Sequence, residues 1–272
     1  MKKPKLGQNF LADRHAPEKI VDALGDISQT VVVEIGPGKG ALTEILARRA
    51  GRLIAIELDR MLATELRFTY SRFPNVEVLE GDVLNIDFHT VVRRISPLDD
   101  VRPVQPTRAR VVGNLPYYIT SDILLRLFDF HELFETIVIM VQREVAERIA
   151  AGPGSRDYGL LSATAQLYTK VEKLFTLPPG AFSPPPKVYS SVLRMTVAPR
   201  FHELQVAPKE FIQFLKTAFA MKRKTLVNNL KTVYQEARIK SALKQAGARA
   251  DVRAEAMALE QMAGVFRDLV IG

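Results

Sequence analysis

Apolar residues along the chain follow two rhythms. Up to about residue 199, short β-branched runs alternate with segments in which apolar positions recur every three or four residues; beyond it only the second rhythm persists. Val31-Val32-Val33-Glu34-Ile35 runs into glycines and then into Ala41-Leu42-Thr43-Glu44-Ile45-Leu46-Ala47, which predicts strand, loop and helix. Further strands are predicted over 53–57, 76–79, 111–114 and 136–141, with helical segments between most of them. This alternation predicts an α/β fold with a mainly parallel sheet. Residues 171–177 and 190–196 predict two more strands joined through a proline-rich stretch, Pro178-Pro179 to Pro184-Pro185-Pro186. A hairpin there places antiparallel strands at one edge of the sheet.

After Pro199 the pattern is helical over 209–233, 239–246 and 254–269, the middle helix stopped by Gly247. The boundary is therefore expected near Pro199, giving domains over 1–199 and 200–272. Residues 96–109, with Pro97, Pro103, Pro106 and the pair Asp99-Asp100, read as an exposed loop.

Composition narrows the chemistry. A chain of 272 residues, 47% hydrophobic and 25% charged, suits one large domain with a smaller appendage. It has no cysteine, which excludes disulfides, thiolate metal sites and cysteine nucleophiles. His15, His89, His131 and His202 lack metal-ligand spacing, so no metal is expected. Runs such as Ile137-Val138-Ile139-Met140-Val141 are far shorter than the roughly 20 residues of a membrane span. Met1-Lys2-Lys3-Pro4-Lys5 leads to Gly7-Gln8-Asn9 and not to an apolar stretch. A cytoplasmic protein with no membrane partner is expected. The formal charge is +8: residues 200–272 carry 13 Lys and Arg against 7 Asp and Glu, whereas residues 1–199 carry 25 against 23. The asymmetry points to a phosphate-rich partner held by the C-terminal part, although a solvated basic surface accounts for the charge alone equally well.

Gly36-Pro37-Gly38-Lys39-Gly40 lies between a predicted strand and a predicted helix, where glycines let the backbone approach a ligand. Glu57 ends the next strand, 21 residues after Gly36, where an acid accepts from ribose hydroxyls. These features suit NAD and S-adenosylmethionine alike, and a purely structural turn remains open. Asp82 follows the third strand, where it either faces the same crevice and accepts from an adenine amino group or caps the next helix.

Asn114-Leu115-Pro116-Tyr117 falls at the carboxyl end of the fourth strand. The exocyclic amine of adenine is a poor nucleophile because its lone pair is delocalised into the ring. The Asn114 side-chain oxygen accepts one N–H of such an amine, and a main-chain carbonyl near Leu115 or Pro116 accepts the other, the proline fixing the turn. Tyr117 is a stacking plate for the base and Phe182 a second, each with the alternative of a core aromatic.

These residues resemble a family, the ribosomal RNA small-subunit adenine N6,N6-dimethyltransferases, which are related to the resistance methylases of large-subunit RNA. The matching segments are Gly7-Gln8-Asn9-Phe10-Leu11, Glu34 to Gly38, Ile56 to Asp59, Gly81-Asp82, Asn114 to Tyr117, Gln142 to Ala146, Pro153 to Ser155, Tyr158-Gly159, Phe182 to Val188 and Arg223 to Leu226. The resemblance implies a class I S-adenosylmethionine methyltransferase: a Rossmann-like, mainly parallel seven-stranded sheet with an antiparallel edge, plus a small all-helical C-terminal domain. It implies catalysis by Asn114, Leu115, Pro116, Tyr117 and Phe182, and cofactor contacts from Asn9, Leu11, Gly36, Gly38, Glu57, Asp82 and Asn114. Lys222, Arg223 and Lys224 are expected to bind RNA; on a helix they would spread over about 200°, so not all could face one groove. The implied substrate is N6 of two adjacent adenosines in a hairpin near the 3′ end of 16S rRNA, each methylated twice, within the assembling small ribosomal subunit. A monomer is expected. A resistance-type 23S rRNA adenine methyltransferase and a non-catalytic RNA-binding assembly or transcription factor on the same fold are the alternatives.

Overall fold

The computed structural model describes residues 9–93, 108–116 and 118–271. In chain order the strands are β1 (Phe10–Leu11), β2 (Val31–Ile35), β3 (Arg52–Glu57), β4 (Val76–Glu80), β5 (Ala109–Asn114), β6 (Phe134–Gln142), β7 (Thr169–Leu177), β8 (Phe182–Ser183) and β9 (Ser190–Val197). The α-helices are α1 (Ala16–Asp22), α2 (Thr43–Arg49), α3 (Arg60–Thr69), α4 (Phe88–Arg93), α5 (Thr120–Asp129), α6 (Arg143–Ala150), α7 (Leu160–Tyr168), α8 (Phe201–Leu204), α9 (Pro208–Ala218), α10 (Leu226–Leu230), α11 (Glu236–Gln245) and α12 (Leu259–Ile271).

Seven strands form one sheet in the order β4-β3-β2-β5-β6-β9-β7. β2 pairs parallel with both β3 and β5, and β5 pairs parallel with β6. Every residue of β2 is buried, which is why the run does not alternate: helices cover both faces of a parallel sheet. The apolar side chains of Val32, Leu46, Leu53, Val112, Val138 and Val192 meet in one core. β9 runs antiparallel to β6, with β7 outside it as the edge strand, so the expected antiparallel edge is present.

The chain leaves β2 toward β3 and β4 on one side and returns to β5 and β6 on the other. A crevice opens at such a switch point, at the carboxyl ends of the two diverging strands. Those ends are Ile35-Gly36 and Gly113-Asn114. β2 and β5 come so close there that a Cβ on Gly113 would lie 2.6 Å from the Ile35 carbonyl oxygen.

The compact units do not follow a single cut near Pro199. The first takes the chain up to Ala146 together with Glu172–Val197; the second takes Glu147–Val171 together with Ala198–Gly272. Residues 147–171, including α7, thus join the C-terminal helices, a tertiary preference that local pattern does not carry. Within the second unit Phe211, Phe214 and Phe266 pack with ring centroids 5.3–5.9 Å apart.

Two further expectations change. The helix predicted over 209–233 is broken: α9 ends at Ala218 and α10 starts at Leu226. Thr225 caps α10 by accepting from Asn228 N at 3.3 Å, and buried Asn229 donates to the Ala218 carbonyl at the end of α9. Lys222, Arg223 and Lys224 therefore lie on a turn and not on a helix. The helix predicted over 254–269 is a short 3-10 turn, Ala254–Ala256, followed by α12. Of the predicted loop 96–109, residues 96–107 lie outside the described residues, Arg108 is irregular and Ala109 already belongs to β5.

Candidate active site

The crevice at the switch point is a cavity of about 1190 Å³, part of it open to solvent. Its walls include Asn9, Leu11, Gly36, Gly38, Glu57, Asp82, Asn114, Leu115 and Pro116, which lie on separate elements of the first unit.

Gly36 and Gly38 have φ of +68° and +59°, a left-handed conformation that a side chain resists. A Cβ on Gly38 would also stand 3.1 Å from the Phe10 ring. The loop is fixed from beside: Gly38 N donates to Glu57 Oε2 at 3.0 Å, and Asp59 N donates to Glu57 Oε1 at 2.9 Å. Asp59 in turn caps α3, accepting from Met61 N at 2.8 Å. Each Glu57 oxygen thus holds one backbone donor and keeps capacity for another.

Asp82 both faces the crevice and acts as a cap. It lines the cavity, and its Oδ1 accepts from Leu84 N at 3.0 Å at the start of a 3-10 turn.

β1 is a strand of two residues that sequence pattern does not reveal. It pairs antiparallel with β8, Leu11 opposite Phe182, and the N–H groups of Ala12 and Asp13 donate to the Ala181 carbonyl. This strap carries Asn9, Phe10 and Leu11 across the glycine loop. Phe182 itself is 3% exposed and part of the hydrophobic core, with Leu11 packed against the same cluster; it is not among the residues that wall the cavity. The expected stacking plate is here a packing residue beneath the strap. Among the described residues two aromatics line the cavity, Phe10 of the strap and Tyr118, 64% exposed; the sequence reading missed Tyr118, whose place directly after the tetrapeptide was the available signal. Tyr117 lies outside the described residues.

Asn114 donates from Nδ2 to the Asn9 carbonyl at 3.2 Å. This fixes the amide so that Oδ1 is the atom left for a ligand, and no described residue donates to it. The two candidate carbonyls separate. The Pro116 carbonyl accepts from Ile119 N at 3.3 Å and from Thr120 Oγ1 at 3.0 Å, which occupies both lone pairs. Leu115 donates its N–H to Met140 O at 3.1 Å, and its own carbonyl has no donor among the described residues.

Glu34 is a further carboxyl in the wall that the sequence reading did not single out. It is 1% exposed and accepts from Thr43 Oγ1 at 2.7 Å. Burial pushes its pKa from 4.5 up to about 8, opposed by the Thr43 hydrogen bond and assisted by the nearby Glu57 charge. Because the folded value is raised, the protonated carboxyl favours the folded state. That contribution is complete below pH 4.5 and is lost as pH rises to about 8. Thermal melts of wild type and Glu34→Gln at pH 5, 7 and 9 should therefore diverge, wild type losing stability relative to the variant as pH rises. Parallel melting curves at all three values would show that Glu34 ionises normally.

Among the described residues no three His, Asp or Glu side chains are placed to hold a metal ion, and no helix is long and apolar enough to cross a membrane. Lys222, Arg223 and Lys224 are all exposed in the second unit, and Lys222 Nζ donates to the Arg156 carbonyl at 2.9 Å.

The sequence profile of the family described as ribosomal RNA adenine dimethylase matches residues 1–269. A protein of Koribacter versatilis named ribosomal RNA small subunit methyltransferase A is 59% identical over 98% of this chain and 94% of its own length. One of the same name from Acidobacterium capsulatum is 56% identical over 98% of this chain and 91% of its own. Among solved structures, a dimethyladenosine transferase from Plasmodium falciparum superposes with a TM-score of 0.73 at 25% identity, covering 94% of this chain and 95% of that one. The 23S rRNA methyltransferase ErmE gives 0.69 at 26% identity over 96% and 99%. The architecture is thus shared with a dimethyladenosine transferase and a 23S rRNA methyltransferase, whereas the high identities lie with proteins named for the small subunit. Matched by the family profile over nearly its whole length and at high identity to such relatives, the chain belongs to the ribosomal RNA adenine dimethylase family.

Proposed function

We propose that this protein transfers methyl groups from S-adenosylmethionine to N6 of two adjacent adenosines in a hairpin near the 3′ end of 16S rRNA. It methylates each twice, acting as a cytoplasmic monomer on the assembling small subunit. The observation that carries the reading is the fixed amide of Asn114, held by Asn9 with its oxygen left for a ligand.

The cavity suits the cofactor by its donor set and its shape: a backbone cradle at Gly36 and Gly38, a carboxylate at Glu57 for the ribose hydroxyls, and Asp82 for the adenine amine. Asn9 and Leu11 close it from the strap. When bound, S-adenosylmethionine supplies an activated methyl group on a sulfonium.

Asn114 Oδ1 and the Leu115 carbonyl are the two acceptors for the target amine. Pro116 sets the turn and spends its own carbonyl on Ile119 and Thr120. Together they turn the N6 lone pair toward the donor. Each neutral hydrogen bond contributes about 0.5 to 1.5 kcal/mol, so alignment supplies most of the acceleration. Tyr117 and the exposed ring of Tyr118 stack on the flipped base, a contribution of about 1 to 3 kcal/mol that offsets the few kcal/mol of unstacking. Phe182 supports the site by packing under β1. The proton released from N6 passes to water, so no side-chain base is needed.

The second transfer places a constraint on the pocket. A monomethylated amine keeps one hydrogen, so only one of the two acceptors is satisfied and a methyl group must occupy the place beside the other.

Lys222, Arg223 and Lys224 contact the RNA backbone. As residues of a turn they are not constrained to diverge as on a helix. Replacing all three by alanine is expected to weaken RNA binding and to flatten the dependence of log K on log salt, by about 0.7 to 0.9 per lost phosphate contact. An unchanged slope in filter binding across a salt series would remove them from the interface.

Nucleoside analysis by mass spectrometry of RNA treated in vitro tests the reaction. Dimethyladenosine formed in small-subunit RNA is expected. Modification of large-subunit RNA would instead support the resistance-type activity, and RNA binding without any methylated product would support the non-catalytic alternative.

A further inference from the structure

The cavity wall is acidic in a way that poses a recognition problem. Glu57 and Asp82 line it, beside a Glu34 that burial keeps protonated at neutral pH, and the one cation among the described wall residues is Lys39. S-Adenosylmethionine carries two positive groups, the sulfonium and the ammonium, which suit such a wall. It also carries one carboxylate, which does not. That carboxylate needs a positive or hydrogen-bond-donating place away from Glu57 and Asp82.

Lys39 sits in the glycine loop, and its ammonium lies over the ring of Phe10, 4.8 Å from the centroid. Phe10 belongs to the strap and closes over Gly38, where a Cβ would be 3.1 Å from the ring. The ring face attracts the ammonium through its quadrupole and holds a flexible side chain at the cavity mouth. Much of the entropy of immobilising a lysine is then spent before a ligand arrives. The ring satisfies none of the three N–H donors, and no hydrogen bond or ion pair from Lys39 to another described residue competes for them.

We propose that Lys39, held over Phe10, recognises the carboxylate of the cofactor's amino-acid tail and sets the specificity of the cavity for the complete amino acid over decarboxylated nucleosides. The inference rests on the reading that the cavity binds S-adenosylmethionine. Lys39 acts in binding and orientation; it takes no part in the transfer of the methyl group.

The test is calorimetric and needs no turnover. Two stable probes differ only in the group at issue: S-adenosylhomocysteine, with its carboxylate, and S-adenosyl-3-thiopropylamine, which keeps the ammonium and lacks the carboxylate. Wild type should bind the first about tenfold more tightly, an order set by one charge-assisted contact partly open to solvent. Lys39→Gln should lose about that factor for S-adenosylhomocysteine while its affinity for the amine stays unchanged or rises, and Lys39→Arg should restore most of the preference. Lys39 is exposed, so the melting temperature of Lys39→Gln should match wild type. Equal loss for both probes, or no loss for either, overturns the role of Lys39 while leaving the cofactor reading intact. Failure of wild type to bind S-adenosylhomocysteine at all overturns the cofactor reading and this inference with it.

Discussion

Replacing Asn114 by alanine is expected to lower the methylation rate by about 10²-fold or more while leaving RNA affinity within about twofold of wild type. The magnitude follows from alignment, because misplacing a reacting group by about 1 Å costs on the order of 10²-fold. Asn114 loses two things at once on truncation: the oxygen that accepts from the target amine, and the Nδ2 donor that ties β5 to the strap at Asn9. Asn114→Asp separates them. It keeps an acceptor but sets a carboxylate oxygen against the Asn9 carbonyl, so it should recover little of the rate. RNA binding is expected to survive in both because its charge contacts lie elsewhere. Single-turnover methylation with saturating cofactor, beside filter binding of the same RNA, gives the two readouts. A fully active Asn114→Ala protein would remove the residue from the reaction.

Glu57→Ala is expected to weaken cofactor binding by at least about a hundredfold. Two hydrogen bonds from ribose hydroxyls to a carboxylate contribute about 1.5 to 3 kcal/mol each. The same carboxylate also anchors the glycine loop, through Gly38 N at 3.0 Å, and the entry to α3, through Asp59 N at 2.9 Å. Truncation leaves both backbone donors without their acceptor and loosens the cradle as it removes the ribose contact. Glu57→Gln keeps one acceptor oxygen and should lose about tenfold, on the same scale of one charge-assisted bond. Titration of S-adenosylhomocysteine followed by calorimetry distinguishes the variants. Wild-type affinity in Glu57→Ala would show that the ribose is held by other groups.

Much of this site was legible because its parts obey local rules. A buried parallel strand reads as an unbroken β-branched run, and Val31 to Ile35 is one. Glycines that follow it must turn, and Gly36 and Gly38 adopt the left-handed conformation that requires them. An acid 21 residues on falls at the end of the adjacent strand, and Glu57 is there. The order of the strands then brings Gly36 and Asn114 to one crevice, which no local pattern states but which the rule for open α/β sheets implies.

What was not legible depended on tertiary context. β1 and β8 are two residues each, too short for any periodicity, yet they place Asn9 against Asn114. Phe182 reads as an aromatic in a proline-rich loop, and only packing shows its ring in the core. The carbonyls of Leu115 and Pro116 are equivalent in sequence; the downstream Thr120 hydroxyl separates them. The break between α9 and α10 did leave a trace, since Thr225 is a strong N-cap residue, but the apolar spacing runs through it. Glu34 is part of the strand that announces the site, and its burial on a face covered by α2 is what raises its pKa. Residues 147–171 precede the change of pattern near Pro199 and yet group with the second unit.

Incubating the protein with radiolabelled S-adenosylmethionine and small ribosomal subunits lacking the modification, then locating the label along the RNA, is the most direct test of the proposed activity. Label is predicted on two adjacent adenosines near the 3′ end of 16S rRNA, approaching four methyl groups per subunit, and absent with Asn114→Ala. Label at any other position of 16S rRNA, or transfer to 23S rRNA in preference to the small subunit, would contradict it.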